Sequence, residues 1–242
     1  MKLSQIFGIL KIKKIMKLFS EQEIFDIYNK HVNKSDDYYK KWEKLPLELN
    51  NKRFRWEGND FPRVWSVLDF REWVVKHNIP KIKKVLATGL DDPELEFLEW
   101  DKLYYAPYHQ GQNDLHTLDL EIKDFDFVMV NQTLEHLYNP FISVQNLYNH
   151  MADGGYLYTS VPTINIPHMT PIHFNGLTPM GLAMLMASVG FEILEVGFWG
   201  NMDYINYIFE NQWWPGYEKL IKDGIITNEK DRNAQCWILV KK

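Results

Sequence analysis

The sequence predicts an α/β fold, a doubly wound sheet of mostly parallel strands, on three observations. Short apolar runs of strand length, around Val85-Leu86-Ala87, Phe127 to Val130 and Tyr156 to Val161, alternate with longer stretches whose apolar residues recur at helical spacing. The run Phe127 to Val130 contains no polar residue, as expected of a strand covered on both faces in a parallel sheet. Directly after it come Asn131, Gln132, Thr133, Glu135 and His136. Ligands of open α/β sheets sit beyond the carboxyl ends of the strands, so this polar rim is where chemistry should collect.

Composition narrows the function classes. A chain of 242 residues suffices for one α/β domain with a filled core, or for a domain with a small appendage. With 45% hydrophobic and 24% charged residues it is expected to fold rather than stay disordered. A net charge of −5 and the lack of a concentrated basic face argue against nucleic acid as a partner. The single cysteine, Cys236, rules out an intrachain disulfide and a cysteine-based zinc site. No segment is apolar over the roughly 20 residues that span a bilayer, and a cytoplasmic location is expected.

Residues 1–80 read as a helical N-terminal extension and 81–242 as the α/β domain. Residues 1–19 mix Lys2, Lys11, Lys13, Lys14 and Lys17 with Ile6, Phe7, Ile9, Leu10, Ile12, Ile15, Leu18 and Phe19, without the apolar core or cleavage site of a signal peptide. They fit a helix packed on its own domain or another subunit; peripheral contact with an anionic membrane is the alternative. Ser20 to Glu23 has the form of a capping box ahead of a helix. Polar residues and turn signals fill much of Asn33 to Asp60. Val64 to His77 then shows an apolar helical face that Asn78-Ile79-Pro80 stops.

The first strand is Lys83 to Ala87, ending in Thr88-Gly89. Leu95 to Trp100 is expected to be the first crossover helix, with Asp91 or Asp92 as its cap, and Lys102 to Ala106 the second strand. After Phe127 to Val130, Asn139-Pro140 opens a helix that runs to Met151 and ends at Asp153-Gly154-Gly155. Tyr156 to Val161 is the next strand. The loop from Thr163 to Thr178, which holds His168 and His173, is long enough to be a lid or a functional loop. Thr178-Pro179 begins a helix stopped at Gly190, Phe191 to Phe198 is a strand, Tyr204 to Trp214 is helical and Gln235 to Val240 is the final strand.

The order Phe125-Asp126, Leu134-Glu135-His136, Pro140, Asp153-Gly154-Gly155, Ser160-Val161-Pro162 and Gly190-Phe191-Glu192 resembles class I S-adenosylmethionine-dependent methyltransferases, from about Lys84 to the end. The resemblance implies a seven-stranded Rossmann-like sheet whose last strand is antiparallel, with S-adenosylmethionine as cofactor. It implies that Thr88, Gly89, Leu90 and Asp91 turn around the methionine moiety and that Asn131 and Gln132 form the facing rim. Asp114, eleven residues before Phe125, and Leu115 beside it stand about where the family resemblance implies an Asp whose neighbourhood contacts the adenine amino group.

The chain also departs from the family pattern. Ala87 stands where an acid is usual, Gly89 alone remains of the glycines, and Tyr105-Ala106-Pro107 replaces the carboxylate that binds ribose. A tyrosine hydroxyl, His109 or Gln110 would have to substitute, with weaker hydrogen bonds than an ionised carboxylate. Asp91 or Asp92 could cap a helix or bind the cofactor ammonium.

Methyl transfer needs alignment and a base when the acceptor carries a proton. His136 and His173 are the catalytic candidates, with bracing of the loop by Glu135 and His136 as the structural alternative for His136. No metal site is expected, because His168 and His173 lack a third ligand at a recognisable spacing, although an Asp or Glu elsewhere in the chain could complete one. Trp199, Trp213 and Trp214 could stack on a sugar or pack in the core. His173-Phe174, Thr178-Pro179 and Gly197 to Asn201 are loosely similar to bacterial methyltransferases of surface polysaccharides. The expected function is methylation of a small-molecule or glycan hydroxyl, in polysaccharide biosynthesis for the glycan case; the alternative is a non-catalytic, methyltransferase-like binding or scaffolding protein. No oligomeric state can be read from the residues.

Overall fold

Six strands build one sheet: β1 (Ile82–Ala87), β2 (Trp100–Tyr105), β3 (Phe125–Met129), β4 (Met151–Pro162), β5 (Glu192–Trp199) and β6 (Gln235–Lys241). Their order across the sheet is β2-β1-β3-β4-β6-β5. The computed structural model describes residues 17–41, 63–89, 92–109, 111–168 and 172–242. β1 runs parallel to β2 and β3, with Val85 opposite Phe127, and β3 runs parallel to β4. β6 is antiparallel to β4 and β5, between which it lies. From β1 the chain passes to β2 on one side and to β3 on the other, and that reversal opens a crevice at their carboxyl ends.

The helices are α1 (Glu21–Ile27), α2 (Asp36–Lys40), α3 (Arg63–Lys76), α4 (Pro140–His150), α5 (Pro179–Val189), α6 (Met202–Asn211) and α7 (Tyr217–Asp223). Successive strand residues point to opposite faces, and the two cores divide accordingly. Phe127, Met129, Tyr158, Trp237 and Leu239 join Trp65, Val67 and Phe70 of α3, along with Ile208 and Leu220. Val128, Val130, Leu157, Ile238 and Val240 join Val144 and Leu147 of α4 and Leu182 and Met186 of α5. With both faces covered, the strands can be apolar throughout, which is the pattern that marked Phe127 to Val130 in the sequence.

Capping follows the sequence closely. Ser20 and Glu23 form both halves of the capping box at α1. Asn139 and Thr178 accept from the backbone N–H groups of Ile142 and Gly181, each ahead of a proline in the first turn. Gly190 ends α5 at φ +111°, a conformation that costs a glycine little.

Several expectations are corrected. The strand count is six among the described residues, against the seven that the family resemblance implies. The stretch between β2 and β3 forms turns instead, with Pro107, the positive φ of Gly111 and Asn113, and a short bridge between His109 and Gln112. The first crossover is a 3₁₀ turn at Pro93–Phe97, because β2 already begins at Trp100 and leaves no length for an α-helix. Asp92 precedes that turn without capping it by its side chain. Asp153 to Gly155 lies within an irregular start of β4, where Gly154 has φ +81°. α6 stops at Asn211, so Trp213 lies outside it and is 67% exposed, whereas Trp199 is fully buried and cannot stack on a sugar. Residues 1–16, most of the basic N-terminal segment, lie outside the described residues, as do Leu90, Asp91 and Gln110.

Candidate active site

A cavity of about 630 Å³ occupies the crevice beyond β1 and β3. Thr88 from the end of β1, Ala106 to Tyr108 after β2, Asn113 to His116, and Gln132, Thr133 and His136 after β3 contribute to its walls. Tyr138, Ile172 and Phe174 close the rim. Thr88 and Thr133 bridge the two strand ends through hydroxyls 3.3 Å apart, while Thr133 Oγ1 donates to the Asn131 carbonyl at 2.8 Å. Two wall residues, Asn113 at φ +56° and Gln132 at φ +47°, hold left-handed backbone conformations that non-glycine residues seldom adopt. The Gln132 turn is fixed by its N–H to the Ser160 carbonyl at 2.9 Å and its side-chain amide to Ser160 Oγ at 3.1 Å. Strain held in place by surrounding bonds is a common mark of ligand sites.

Asp114 and His116 form a relay along the wall. Asp114 Oδ1 accepts from the His116 backbone N–H at 2.9 Å and stands 2.6 Å from His116 Nδ1. His116 Nε2 accepts from the Asn139 N–H at 3.2 Å, which assigns the ring proton to Nδ1. Partial burial resists ionisation of Asp114 most strongly, but the hydrogen bonds from His116 prevail and hold its carboxyl below the ordinary range. The His116 ring stacks on Tyr138 with centroids 3.9 Å apart, making a flat wall panel.

Of the residues expected to hold a cofactor, Thr88, Asp114, Leu115 and Gln132 meet at this cavity; Gly89 and Asn131 are not among its lining residues. Asn131 is buried and committed: its Oδ1 accepts from Ser160 N and Oγ at 3.0 Å, and its Nδ2 donates to Asp92 Oδ1 at 3.2 Å. Asp92 also accepts from Arg63 Nη2 at 2.7 Å, and the same guanidinium reaches Glu94 Oε2 at 3.0 Å. Burial pushes the Glu94 carboxyl up to about 7 against the pull of Arg63. Asp92 therefore ties α3 to the turn after β1, packed so closely that a Cβ on Gly89 would meet its Oδ2 at 2.7 Å. No carboxylate stands directly after β2, where Tyr108 and Asn113 occupy the wall ahead of Asp114, and His109 pairs with Gln112.

His136 reaches the cavity from the 3₁₀ turn Leu134–His136. Its Nδ1 donates to the Ile172 carbonyl at 2.9 Å. Burial lowers its pKa first of all, and His168 and His173 lower it further, so a neutral ring with an unprotonated Nε2 is favoured. His173 lies behind it, with Nε2 on the Asn175 carbonyl at 2.9 Å, and does not line the cavity. The expected bracing of this loop runs mainly through the backbone. The Glu135 carbonyl accepts from Phe174 N at 2.7 Å and Asn175 N at 3.2 Å, and Asn175 Nδ2 donates to the Leu137 carbonyl at 2.7 Å. The Glu135 side chain takes no part: it is fully buried without a hydrogen-bond partner, and desolvation pushes its carboxyl up to about 8.

Residues 81–159, which carry β1, β2, β3 and most of β4 with the cavity between them, match the family described as a methyltransferase domain. Over that stretch the chain is similar to methyltransferase domains. No curated protein matches the sequence. Among solved structures, an S-adenosylmethionine-dependent methyltransferase from Archaeoglobus fulgidus superposes with a TM-score of 0.46 and 17% identity, over 74% of this chain and 94% of that one. The 1,6-didemethyltoxoflavin-N1-methyltransferase of Burkholderia thailandensis gives 0.47 and 13%, over 74% and 80%. An S-adenosylmethionine-dependent methyltransferase from Clostridium acetobutylicum gives 0.48 and 9%, over 76% and 92%. Likenesses this remote add nothing to the family match.

The fold places Thr133, His116 and Tyr138 at the cavity, and the sequence alone gives none of them a ligand role. A left-handed residue after β3 and a His two positions after Asp114 are the only local signals, and neither is distinctive without coordinates. Among the described residues, no helix is long and apolar enough to cross a membrane.

Proposed function

We propose that this chain is an S-adenosylmethionine-dependent methyltransferase acting in the cytoplasm on a small-molecule or glycan hydroxyl. The observation that carries the reading is the cavity at the carboxyl ends of β1 and β3, within and beside the matched domain. Thr88, Gln132 and Thr133 would border the methionine end. Leu115 and the His116–Tyr138 panel offer an apolar flat surface for adenine, with Asp114 beside it. Tyr108 and Asn113 stand in for the absent ribose carboxylate. Asp92 is spent on Arg63 and Asn131, so it holds the turn rather than the cofactor ammonium.

When bound, the cofactor supplies an electrophilic methyl group on a sulfonium. The chain orients an acceptor hydroxyl toward that carbon and excludes water with Tyr138, Ile172 and Phe174 at the rim. His136 Nε2 would accept the proton of the acceptor hydroxyl, since Nδ1 is already committed to Ile172. His173 positions the loop behind it. Residues 1–80 would be a helical extension to the catalytic domain at 81–242.

A non-catalytic binding role is the second reading, favoured by Asp92 packed against Gly89 and by the missing ribose carboxylate. Calorimetric titration of the full chain with S-adenosylhomocysteine separates the two. A Kd of about 1 μM, worth about −8.2 kcal/mol, supports the enzyme; no heat at millimolar ligand supports the binding protein.

A further inference from the structure

Behind the cavity wall, the adjacent Glu135 and His136 meet His168, thirty-two residues further along the chain. Their ligand atoms all lie within 4.8 Å of one another. His136 Nε2 is 3.8 Å from Glu135 Oε1. His168 arrives from the loop after β4, its ring 4.9 Å from that of His136, and the third ring, His173, is 4.7 Å from His168.

The hydrogen bonding around this cluster is ordered from outside. His136 Nδ1 faces the Ile172 carbonyl at 2.9 Å, His168 Nδ1 the Ile166 carbonyl at 3.1 Å, and His173 Nε2 the Asn175 carbonyl at 2.9 Å. A carbonyl only accepts, so each of these nitrogens carries the ring proton and the other nitrogen of each ring presents a lone pair. Imidazole held by a backbone carbonyl through its distal N–H is how metal-binding histidines are oriented. The Glu135 carboxyl is fully buried with both oxygens unpartnered, and His173 Nδ1 is likewise buried and unpartnered. A buried carboxylate without partners is costly, and a cation removes that cost.

We propose that Glu135, His136 and His168 form a binding site for a divalent transition-metal ion of the zinc type, with His173 as the adjacent fourth donor. Two imidazoles and a carboxylate suit zinc, cobalt or iron(II) and not magnesium or calcium, which prefer all-oxygen sites. Ligands around a tetrahedral zinc at about 2.0–2.1 Å stand roughly 3.3 Å apart, so binding draws the three side chains inward by rotamer adjustment. The site concerns ion binding alone and stands whether or not the domain transfers methyl groups. In the metal-loaded chain His136 Nε2 is a ligand, so its proposed role as base belongs to the metal-free chain.

The test is metal content and titration of the full-length protein. Chain stripped with dipicolinate is titrated with ZnCl2 by calorimetry and with CoCl2 by visible absorption, beside Glu135→Gln, His168→Ala and His168→Gln. The expected result is about one zinc per chain, a tetrahedral cobalt spectrum, and at least about tenfold weaker binding in each variant. His168 sits on a half-exposed loop, and retained far-UV circular dichroism shows that the variant is folded. No zinc heat and no cobalt spectrum in the wild type overturns the site, and so does binding unchanged in both His168 variants. Zinc binding without S-adenosylhomocysteine binding sinks only the methyltransferase reading; the reverse sinks only this one.

Discussion

Trp237 Nε1 donates to Asp69 Oδ2 at 2.9 Å, joining the middle of α3 to β6 across 168 residues of sequence. Lys41 reaches the other carboxylate oxygen, so a fully buried acid is held from two sides. Gly197 on β5 makes room for the pair: a Cβ there would stand 2.1 Å from Trp237 Nε1 and 2.5 Å from Asp69 Oδ2. Gly197→Ala is expected to lose about 3 kcal/mol or more of stability, as is Asp69→Ala, which removes the carboxylate that both Lys41 and Trp237 meet and leaves a cavity. Asp69→Asn keeps an acceptor for the indole and should cost less. Urea denaturation midpoints at unchanged slope measure all three.

The Asp114–His116 relay supports a prediction about ligand affinity. Replacing Asp114 by Asn removes the charge that fixes the His116 tautomer and leaves the stack on Tyr138 free to turn. Affinity for S-adenosylhomocysteine should fall about tenfold, or about 1.4 kcal/mol, with little change in thermal stability. Calorimetry alongside a melting curve checks both halves; an unchanged Kd would remove Asp114 from the proposed adenine site.

How much of this was legible beforehand depended on distance along the chain. Asn139-Pro140, Thr178-Pro179 and Gly190 state their helix boundaries locally, and the all-apolar run at Phe127 to Val130 states its burial on both faces. The 3₁₀ turn at Pro93–Phe97 was not readable, because Leu95 to Trp100 suits a helix and only the pairing of Trp100 with Ile82 claims those residues for β2. The turns that replace a seventh strand were hidden behind a family expectation. Asp114 and Gln132 could be placed at the site by spacing, and Glu135-His136 is a visible pair, whereas His168 joins that pair only through the fold and leaves no spacing to recognise.

His31 gives the pH dependence of stability. It lies buried in the π-helical turn Tyr28–Val32, where desolvation first, then Lys30 and Lys34, depress its pKa from 6.5 to about 4. The unfolded chain therefore binds the proton first as pH falls. Stability from this group is present above 6.5 and is lost as pH drops toward about 4. Melting temperatures from pH 7 to 4 should decline less steeply in His31→Gln than in the wild type; parallel curves would count against it.

Thr178 offers a change confined to folding. Its hydroxyl accepts from Gly181 N at 3.0 Å at the start of α5, away from the cavity lining. Thr178→Ala should cost about 1 kcal/mol in chemical denaturation and leave S-adenosylhomocysteine affinity unchanged.

The place of β6 bears on how the protein is made. Among the described residues, β5 pairs with the sheet only through β6, which follows it in sequence by more than thirty residues. While a ribosome is still translating α6 and α7, the nascent chain holds β5 as an unpaired apolar ribbon, open to aggregation or chaperone capture until Gln235 to Lys241 emerges and slots in.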